Sequence, residues 1–303
     1  MTLSDINVCD HYAGSVAFAL KAIAIQEDIG PYFDITLDLE DGAKKGNEEK
    51  LADEFLEILL GNRNKFKKIG LRLPAFDNPL FTIFSSRFLS NACDILHHIT
   101  IPKINDYTHF KNVKTSLEEH LKSSSHKLPP LHILAESHNI TGELDKIAAD
   151  ESVRSLDVGI MDYISSFHGR LSMKEAEGMN ELENPLLIDF KIQVSLSAAR
   201  NGKIATHSVC RDYQNKEQIE KFCSHAKKLG FSRMWSIHPF QIPIIIRMLN
   251  PSEEEINEAM EILKSAEANG WGPISYKGLL HDYASYRYYE AILRRAKRSL
   301  NVL

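Results

Sequence analysis

Glu136 and Asp162 dominate the chemistry that this chain could perform. Glu136 follows the apolar run 131–135, Asp162 follows the apolar run 156–161, and a segment of helical period, 140–149, lies between them. Strand, helix, strand is a βαβ unit with parallel strands, and parallel strands gather ligands at their C-terminal ends. Both acids therefore belong at one edge of one sheet. Two carboxylate oxygens in otherwise open coordination suit Mg²⁺, which keeps positions for water or substrate oxygens; Mn²⁺ would accept the same donors. Taken singly, each acid reads more readily as a solvated carboxylate capping the helix after its strand; the pair in this context favours the metal site.

Asp38, Glu40 and Asp41 crowd the end of the alternating strand 33–37, just ahead of Gly42. Such crowding is repulsive unless a cation, or donors bound to one, offsets it; the alternative is an acidic loop that initiates the helix 48–60. Arg72 sits near the end of strand 69–74 and points to the same edge. A guanidinium fork there can hold a carboxylate or thioester oxygen, or pair structurally with Glu40 or Asp41. Lys103 closes strand 98–103, as a substrate contact or a surface lysine. His168, in the loop after Asp162, and His207, in strand 203–208, are candidates for substrate contact or proton handling.

These residues need a scaffold that brings several strand ends together. Strand-like runs recur at 6–9, 33–37, 69–74, 98–103, 131–135, 156–161, 203–208 and 234–239, each followed by a helical pattern where the periodicity is clear. That count favours a closed (β/α)8 TIM barrel over an open sheet. The rhythm changes after residue 250: a helix at 254–268, an extended piece at 277–282 and a basic helix at 286–299. Residues 1–250 are thus expected to form the barrel and 251–303 a C-terminal helical extension, packed on its own barrel or a neighbour's.

The chain has 303 residues, 43% hydrophobic and 25% charged, which is a globular composition. A net charge of −5 gives no reason to expect a nucleic acid or an anionic membrane as partner. No apolar run approaches the roughly 20 residues of a membrane span, and the start lacks the basic-then-apolar pattern of a secretion signal. Cys9, Cys93, Cys210 and Cys223 form no CxxC pair and read as reduced thiols of a cytoplasmic protein.

In their order and spacing these motifs resemble the HpcH/HpaI aldolase and citrate lyase β-subunit (CitE-like) superfamily. The residues that carry the likeness are Asp38-Leu39-Glu40-Asp41-Gly42, Pro102-Lys103, Glu136, Gly159-x-x-Asp162, Ile237-His238-Pro239-x-Gln241, Pro251-Ser252-x-Glu254-Glu255-Ile256 and Gly278-x-x-x-Asp282. The stretch 156–169, Ser208 and the stretch 233–239 look like a bacterial branch described only as citrate lyase-like. The resemblance implies a modified TIM barrel assembled as a homotrimer or homohexamer, with Mg²⁺ on Glu136 and Asp162. It implies that Glu40 and Asp41 hydrogen-bond metal-bound water and that Arg72 polarises the substrate carbonyl. Asp282 would lie on a C-terminal segment reaching a neighbouring protomer's site.

The implied chemistry is cleavage or formation of a carbon–carbon bond beside a carbonyl, on a hydroxy-acid or its CoA thioester, through a metal-stabilised enolate. Asp282, His168 or His207 would handle the proton. Three features depart from the pattern. The usual Arg-Ser-x-Leu-Phe-x-Pro strand is replaced by Val8-Cys9-Asp10-His11-Tyr12-Ala13, Pro74 stands where asparagine is common, and Leu280-His281 precede Asp282. These point to a different substrate or to independence from CoA. The expected partner is accordingly a small hydroxy-acid, a 2-oxo acid or an acyl-CoA. The alternatives are an aldolase on free 2-oxo acids and a non-catalytic barrel that binds a metabolite or serves as a subunit of a complex. The joint presence of Glu40, Arg72, Glu136, Asp162 and Asp282 favours the Mg²⁺-dependent lyase.

Overall fold

The computed structural model describes residues 6–42 and 46–300, with side chains as far as residue 296. Eight parallel strands close into a barrel in sequence order: β1 (Cys9–Ala13), β2 (Asp34–Asp38), β3 (Ile69–Arg72), β4 (Ile99–Ile101), β5 (Leu131–Ala135), β6 (Val153–Val158), β7 (Ile204–His207) and β8 (Arg233–Ser236). β8 returns to β1, with Met234 opposite Cys9, and the ring has no free edge. The helices α1 (Val16–Ile29), α2 (Glu48–Leu60), α3 (Leu80–Ala92), α4 (Tyr107–Glu119), α5 (Leu144–Ala148), α6 (Ile160–Ser165), α7 (Met179–Glu183), α8 (Pro185–Arg200), α9 (Lys216–Lys228) and α10 (Gln241–Leu249) separate or follow the strands. This is the TIM-barrel architecture.

Strand alternation decides what each layer holds. Ile35, Leu37, Ile69, Leu71, Ile99, Ile101, Ile133 and Leu156 belong to one large buried apolar cluster with helix residues such as Phe55, Phe84, Phe110 and Phe190. The main apolar core therefore lies between the strand ring and the helices. The opposite parity fills the barrel with polar groups, and Asp10, Asp34, Thr36, His98, His132, Asp157, Thr206 and Arg233 are all fully buried. Thr36 Oγ1 donates to Asp10 Oδ1 at 2.8 Å and stands 2.8 Å from His98 Nε2. Arg233 Nη2 lies 2.7 Å from Asp10 Oδ2, while Nη1 bonds Asp34 and the Asn7 carbonyl.

Asp10, His98 and His132 bring metal-ligand atom types within 4.8 Å of one another. Their geometry is structural all the same. The His98 and His132 rings stack at 4.0 Å and 6°, so their in-plane lone pairs run parallel and do not converge, and Arg233 already holds Asp10. Towards the C-terminal mouth, Tyr12, Leu134 and Trp235 form a second small apolar cluster, the two aromatic rings stacked at 4.6 Å.

Two sequence expectations shift. β1 begins at Cys9, where 6–9 was expected. β6 ends at Val158 and the chain turns at Gly159 into α6, so Asp162 rides in the first turn of a helix and not at a strand end. The apolar run 156–161 spans both elements, and periodicity alone does not separate a strand from the buried start of a helix. Between α6 and α8 a 3₁₀ turn (Met173–Ala176) and α7 bury Ala176, Glu181 and Leu182.

Beyond α10 the chain forms α11 (Glu253–Ala268), the hairpin β9 (Ile274–Tyr276) and β10 (Leu279–His281), and α12 (Tyr283–Leu300). Ser252 and Glu255 close a capping box at the head of α11. Ile262, Ala266 and Tyr286 make a small core between α11 and α12. All four cysteines are free and buried, and no helix among the described residues is long and apolar enough to cross a membrane.

Candidate active site

Glu136 leaves β5 directly and is 4% exposed. Its Oε1 accepts the backbone N–H of Lys103, whose φ of 56° lies in the left-handed region that few lysines adopt. Glu136 and Asp162 line one cavity of about 160 Å³ with Asp41, Arg72, Glu181, Ser208 and Trp235 among its walls. They also share an outer cavity with Lys103, His109, His138 and His168. Burial first, and the charge of Asp162 second, push the Glu136 carboxyl up to about 8. Burial raises Asp162 as well. Two hard oxygen donors thus line one cavity, their burial only partly offset by Lys103 and Arg72, and that donor set fits Mg²⁺.

A carboxylate raised this far must shed its proton before it can ligate. Mn²⁺ binding near pH 7 is therefore expected to release about one proton per site, with affinity climbing as pH rises towards 8. Calorimetric titration in buffers of differing ionisation enthalpy reads the proton count. An affinity flat across that range would contradict the assignment.

Gly159 makes room for Glu136. A Cβ at this position would meet Glu136 Cβ and Oε2 at 2.7 Å each. Gly159→Ala is expected to push the carboxylate aside and weaken Mn²⁺ binding by about 10–100-fold, the range for misplacing a ligand through its supports. Unchanged affinity in the same titration would show that Glu136 tolerates the shift.

Arg72 is held from below. Its Nε and Nη2 donate to Asp38 Oδ1 and Oδ2 at 2.7 and 2.6 Å, Nη1 reaches Glu40 Oε2 at 3.1 Å, and the guanidinium lies 5.3 Å over the Tyr12 ring. Asp38 is itself fixed by the backbone N–H groups of Glu40 and Gly42, both at 3.0 Å. A side chain on Gly42 would collide with it, its Cβ falling 2.1 Å from Asp38 Oδ2. Glu40 Oε1 takes Lys103 Nζ at 2.5 Å, and Lys103 also stands 3.5 Å from Asp41. The acidic crowd after β2 is thus offset by two cations, one oriented and buried, one half-exposed.

The structure brings Glu40, Asp41, Arg72, Lys103, Glu136, Asp162 and His168 to one mouth of the barrel. His207 and Asp282 lie elsewhere in the chain. Thr206 takes the inward parity of β7, 3.0 Å from Ser155 Oγ, so His207 points outward, edge-on to Phe222 and Phe231 and 3.2 Å from His225. Asp282 heads α12 in the extension, where its carboxylate takes the Ala284 N–H at 2.9 Å.

Glu181 and Trp235 were not singled out in the sequence, and Asp38 was read there as one of the crowded acids and not as the partner of Arg72. The alternation of β2 marked Asp38 as inward-facing. Lys191, on the buried stripe of α8 beside Leu187, Phe190 and Val194, was the readable sign that a buried acid must oppose it. Trp235 carried no signal beyond its strand. Its side chain lines the cavity, and its buried Nε1 has no hydrogen-bond partner among the described residues.

Residues 21–239 match the HpcH/HpaI aldolase/citrate lyase family. The solved structure of a citrate lyase from Burkholderia xenovorans superimposes with a TM-score of 0.90 at 33% identity, over 99% of this chain and 95% of that one. The CitE protein of Mycobacterium tuberculosis, solved in complex with magnesium, acetoacetate and coenzyme A, shares the fold with a TM-score of 0.74 at 18% identity, over 97% and 99% of the two chains. The L-malyl-CoA/β-methylmalyl-CoA lyase of Cereibacter sphaeroides is 25% identical over 281 residues, 87% of each chain. The fold and site define a class, a TIM barrel with acids and a clamped arginine at its C-terminal mouth. Within that class the chain belongs to the HpcH/HpaI aldolase/citrate lyase family, and it is a carbon–carbon lyase.

Proposed function

We propose that the protein is a Mg²⁺-dependent lyase that cleaves or forms the bond between a 2-oxo or acyl fragment and a carbonyl fragment, on a hydroxy-acid or its CoA thioester. The observation that carries this reading is the meeting of Glu136, Asp162 and Arg72 in one small cavity. Glu136 and Asp162 would hold Mg²⁺, which when bound acts as Lewis acid on the substrate oxygens. Arg72, clamped by Asp38 and Glu40, presents a fixed positive charge to the oxygen on which enolate charge develops. That preorganisation avoids a reorganisation cost at the moment of reaction. Asp41 lines the same cavity and would accept hydrogen bonds from bound water. Trp235 Nε1 is a donor available to a substrate oxygen, and Lys103 and His168 flank the outer entrance. The magnesium, acetoacetate and coenzyme A held by the M. tuberculosis protein support a chelated oxo-acid fragment and a thioester substrate.

Asp282 fits this scheme as a residue donated to a neighbour in a homotrimer or homohexamer. It sits among exposed apolar side chains, Leu279, Leu280 and Tyr283 at 66%, 74% and 69% exposure, a surface suited to covering by a second copy. Mixing Glu136→Gln protomers with Asp282→Asn protomers is then expected to restore part of the turnover lost in each. Mixtures no better than the two variants measured separately would place Asp282 outside the reaction.

The lyase reading is tested by titrating Mn²⁺ into the protein with and without pyruvate or oxalate, beside an Asp162→Asn variant. A panel of hydroxy-acids is then assayed, free and as CoA thioesters. Binding that tightens with the oxo-acid and is lost in the variant supports the site, and the panel assigns the substrate. No binding to the unaltered protein would overturn it in favour of a metabolite-binding barrel.

A further inference from the structure

Behind the inner cavity runs a continuous hydrogen-bonded path to the outer surface. Glu181, on α7, lines the cavity although it is only 1% exposed. Its Oε1 accepts Lys191 Nζ at 2.8 Å and the hydroxyl of Ser208, which also lines the cavity. Ser208 Oγ is 3.3 Å from His207 Nδ1, and His207 Nδ1 is 3.1 Å from the Ser208 carbonyl. His207 Nε2 is 3.2 Å from His225 Nδ1. The half-buried ring of His225 bonds the Leu182 backbone and lines a separate surface cavity of about 430 Å³ between α7 and α9. Nothing in the binding of metal or substrate described above uses these five groups.

We propose that Ser208, His207 and His225 form a proton relay between Glu181 in the cavity and solvent behind β7, and that Glu181 exchanges the proton at the enolate carbon. The proposal rests on the lyase reading. As a C–H bond of the bound oxo-acid breaks, its electron pair enters the enolate and its proton goes to Glu181 Oε1. Glu181 passes a proton to Ser208 Oγ, Ser208 passes its own to His207 Nδ1, His207 passes its Nε2 proton to His225 Nδ1, and His225 releases one to water in the outer cavity. Protonation of an enolate formed by carbon–carbon cleavage runs the same steps in reverse.

The geometry suits a conductor because one excess proton can sit at either end with the chain hydrogen-bonded throughout. With Glu181 protonated, donors run Glu181 to Ser208 to His207 Nδ1, then His207 Nε2 to His225 and His225 to the Leu182 carbonyl. With the proton on His225, donors run the opposite way, and His207 Nδ1 turns to the Ser208 carbonyl. Lys191, from α8, fixes the carboxylate in both forms. Burial, then the charge of Lys191, hold both imidazoles well below the usual histidine range, His225 at about 4. They therefore pass a proton on and do not store it.

Two readouts test this. The first needs no catalysis: long-range ¹H–¹⁵N correlation on ¹⁵N-histidine-labelled protein reports the His207 tautomer. As pH falls and the path takes up its one excess proton, the unaltered protein is expected to populate both tautomers. In Glu181→Gln the amide oxygen must accept from Lys191, the Ser208 hydroxyl is kept as its donor, and His207 is locked with its proton on Nδ1; Ser208→Ala locks it likewise. A His207 tautomer identical in all three proteins overturns the relay. The second readout is Mg²⁺-dependent exchange of the pyruvate methyl protons in D₂O, followed by NMR. His225→Ala is expected to slow it by about tenfold or more, within the range of general acid–base contributions, with saturable rescue by imidazole. His225→Gln, which fills the space, is expected to be equally slow and guards against a folding failure. Exchange unchanged in both His225 variants overturns the relay. If the unaltered protein exchanges nothing, pyruvate is not the fragment that forms the enolate, and the tautomers alone decide for or against the relay.

Discussion

Glu136→Gln will leave the metal-free protein more stable than the unaltered chain at pH 8, while abolishing Mn²⁺ binding and lowering turnover by about a thousandfold or more. The two effects have one origin. The Glu136 carboxyl is raised from an ordinary value of 4.5 to about 8, by burial first and by Asp162 second. A raised folded-state value means that the group favours folding fully below pH 4.5, and that this contribution is lost as pH climbs through 8. At pH 8 the metal-free fold therefore bears much of the cost of a buried, repelled carboxylate, on the order of 2–4 kcal/mol. Glutamine keeps the shape and removes the charge. Thermal melts in chelator should thus show the variant level with the unaltered protein near pH 4.5 and progressively ahead towards pH 8. Saturating Mg²⁺ should reverse the order at pH 8, because only the carboxylate gains from the cation. A variant no more stable than its parent at pH 8 would show that the environment of Glu136 is already compensated without metal.

Arg233→Met will cost about 3–5 kcal/mol, lowering the melting temperature by roughly 10 °C, because it strands two buried carboxylates. Arg233 is fully buried and spans Asp10 on β1 and Asp34 on β2 from its own place on β8, so it ties together the strands at which the barrel closes. Its charge and hydrogen bonds outweigh burial and hold Asp34 below the usual carboxylate range. Asp34 thus contributes stability that is present above its ordinary value and lost as pH falls below it. Without the guanidinium that contribution vanishes at neutral pH, and the deficit should narrow in acid, where the stranded carboxylates take up protons. Adding Asp10→Asn and Asp34→Asn to Arg233→Met should recover much of the loss, since a buried ion pair is worth far less than the penalty for breaking it. A single variant as stable as its parent across the pH range would mean that the interior network does not hold the closure.

Several of these groups were legible in the chain. Alternating hydrophobicity at 33–37 and the run at 131–135 placed β2 and β5 within a residue of their observed positions, because an apolar outward face against helices demands that period. The recurrence of such runs implied the barrel. Its C-terminal mouth then followed for Glu40, Asp41, Arg72, Lys103 and Glu136, since parallel strands present all their ends at one side. Asp162 was placed at the correct edge but on the wrong element, because an apolar run looks alike as strand and as the buried start of a helix.

Only the tertiary structure decided the rest. Which way His207 faces depends on a parity that its short strand does not declare. Lys191 announces a buried acid, but that the acid is Glu181 requires the fold to bring α7 against α8. The interior of the barrel is the clearest case. Asp10, Asp34, His132, Asp157 and Arg233 come from five different strands and His98 from the position before β4, and each alone reads as an ordinary polar residue. They become one buried charge network only when ring closure sets β8 beside β1, because Coulomb energy and desolvation depend on distances in space, to which position along the chain is no guide.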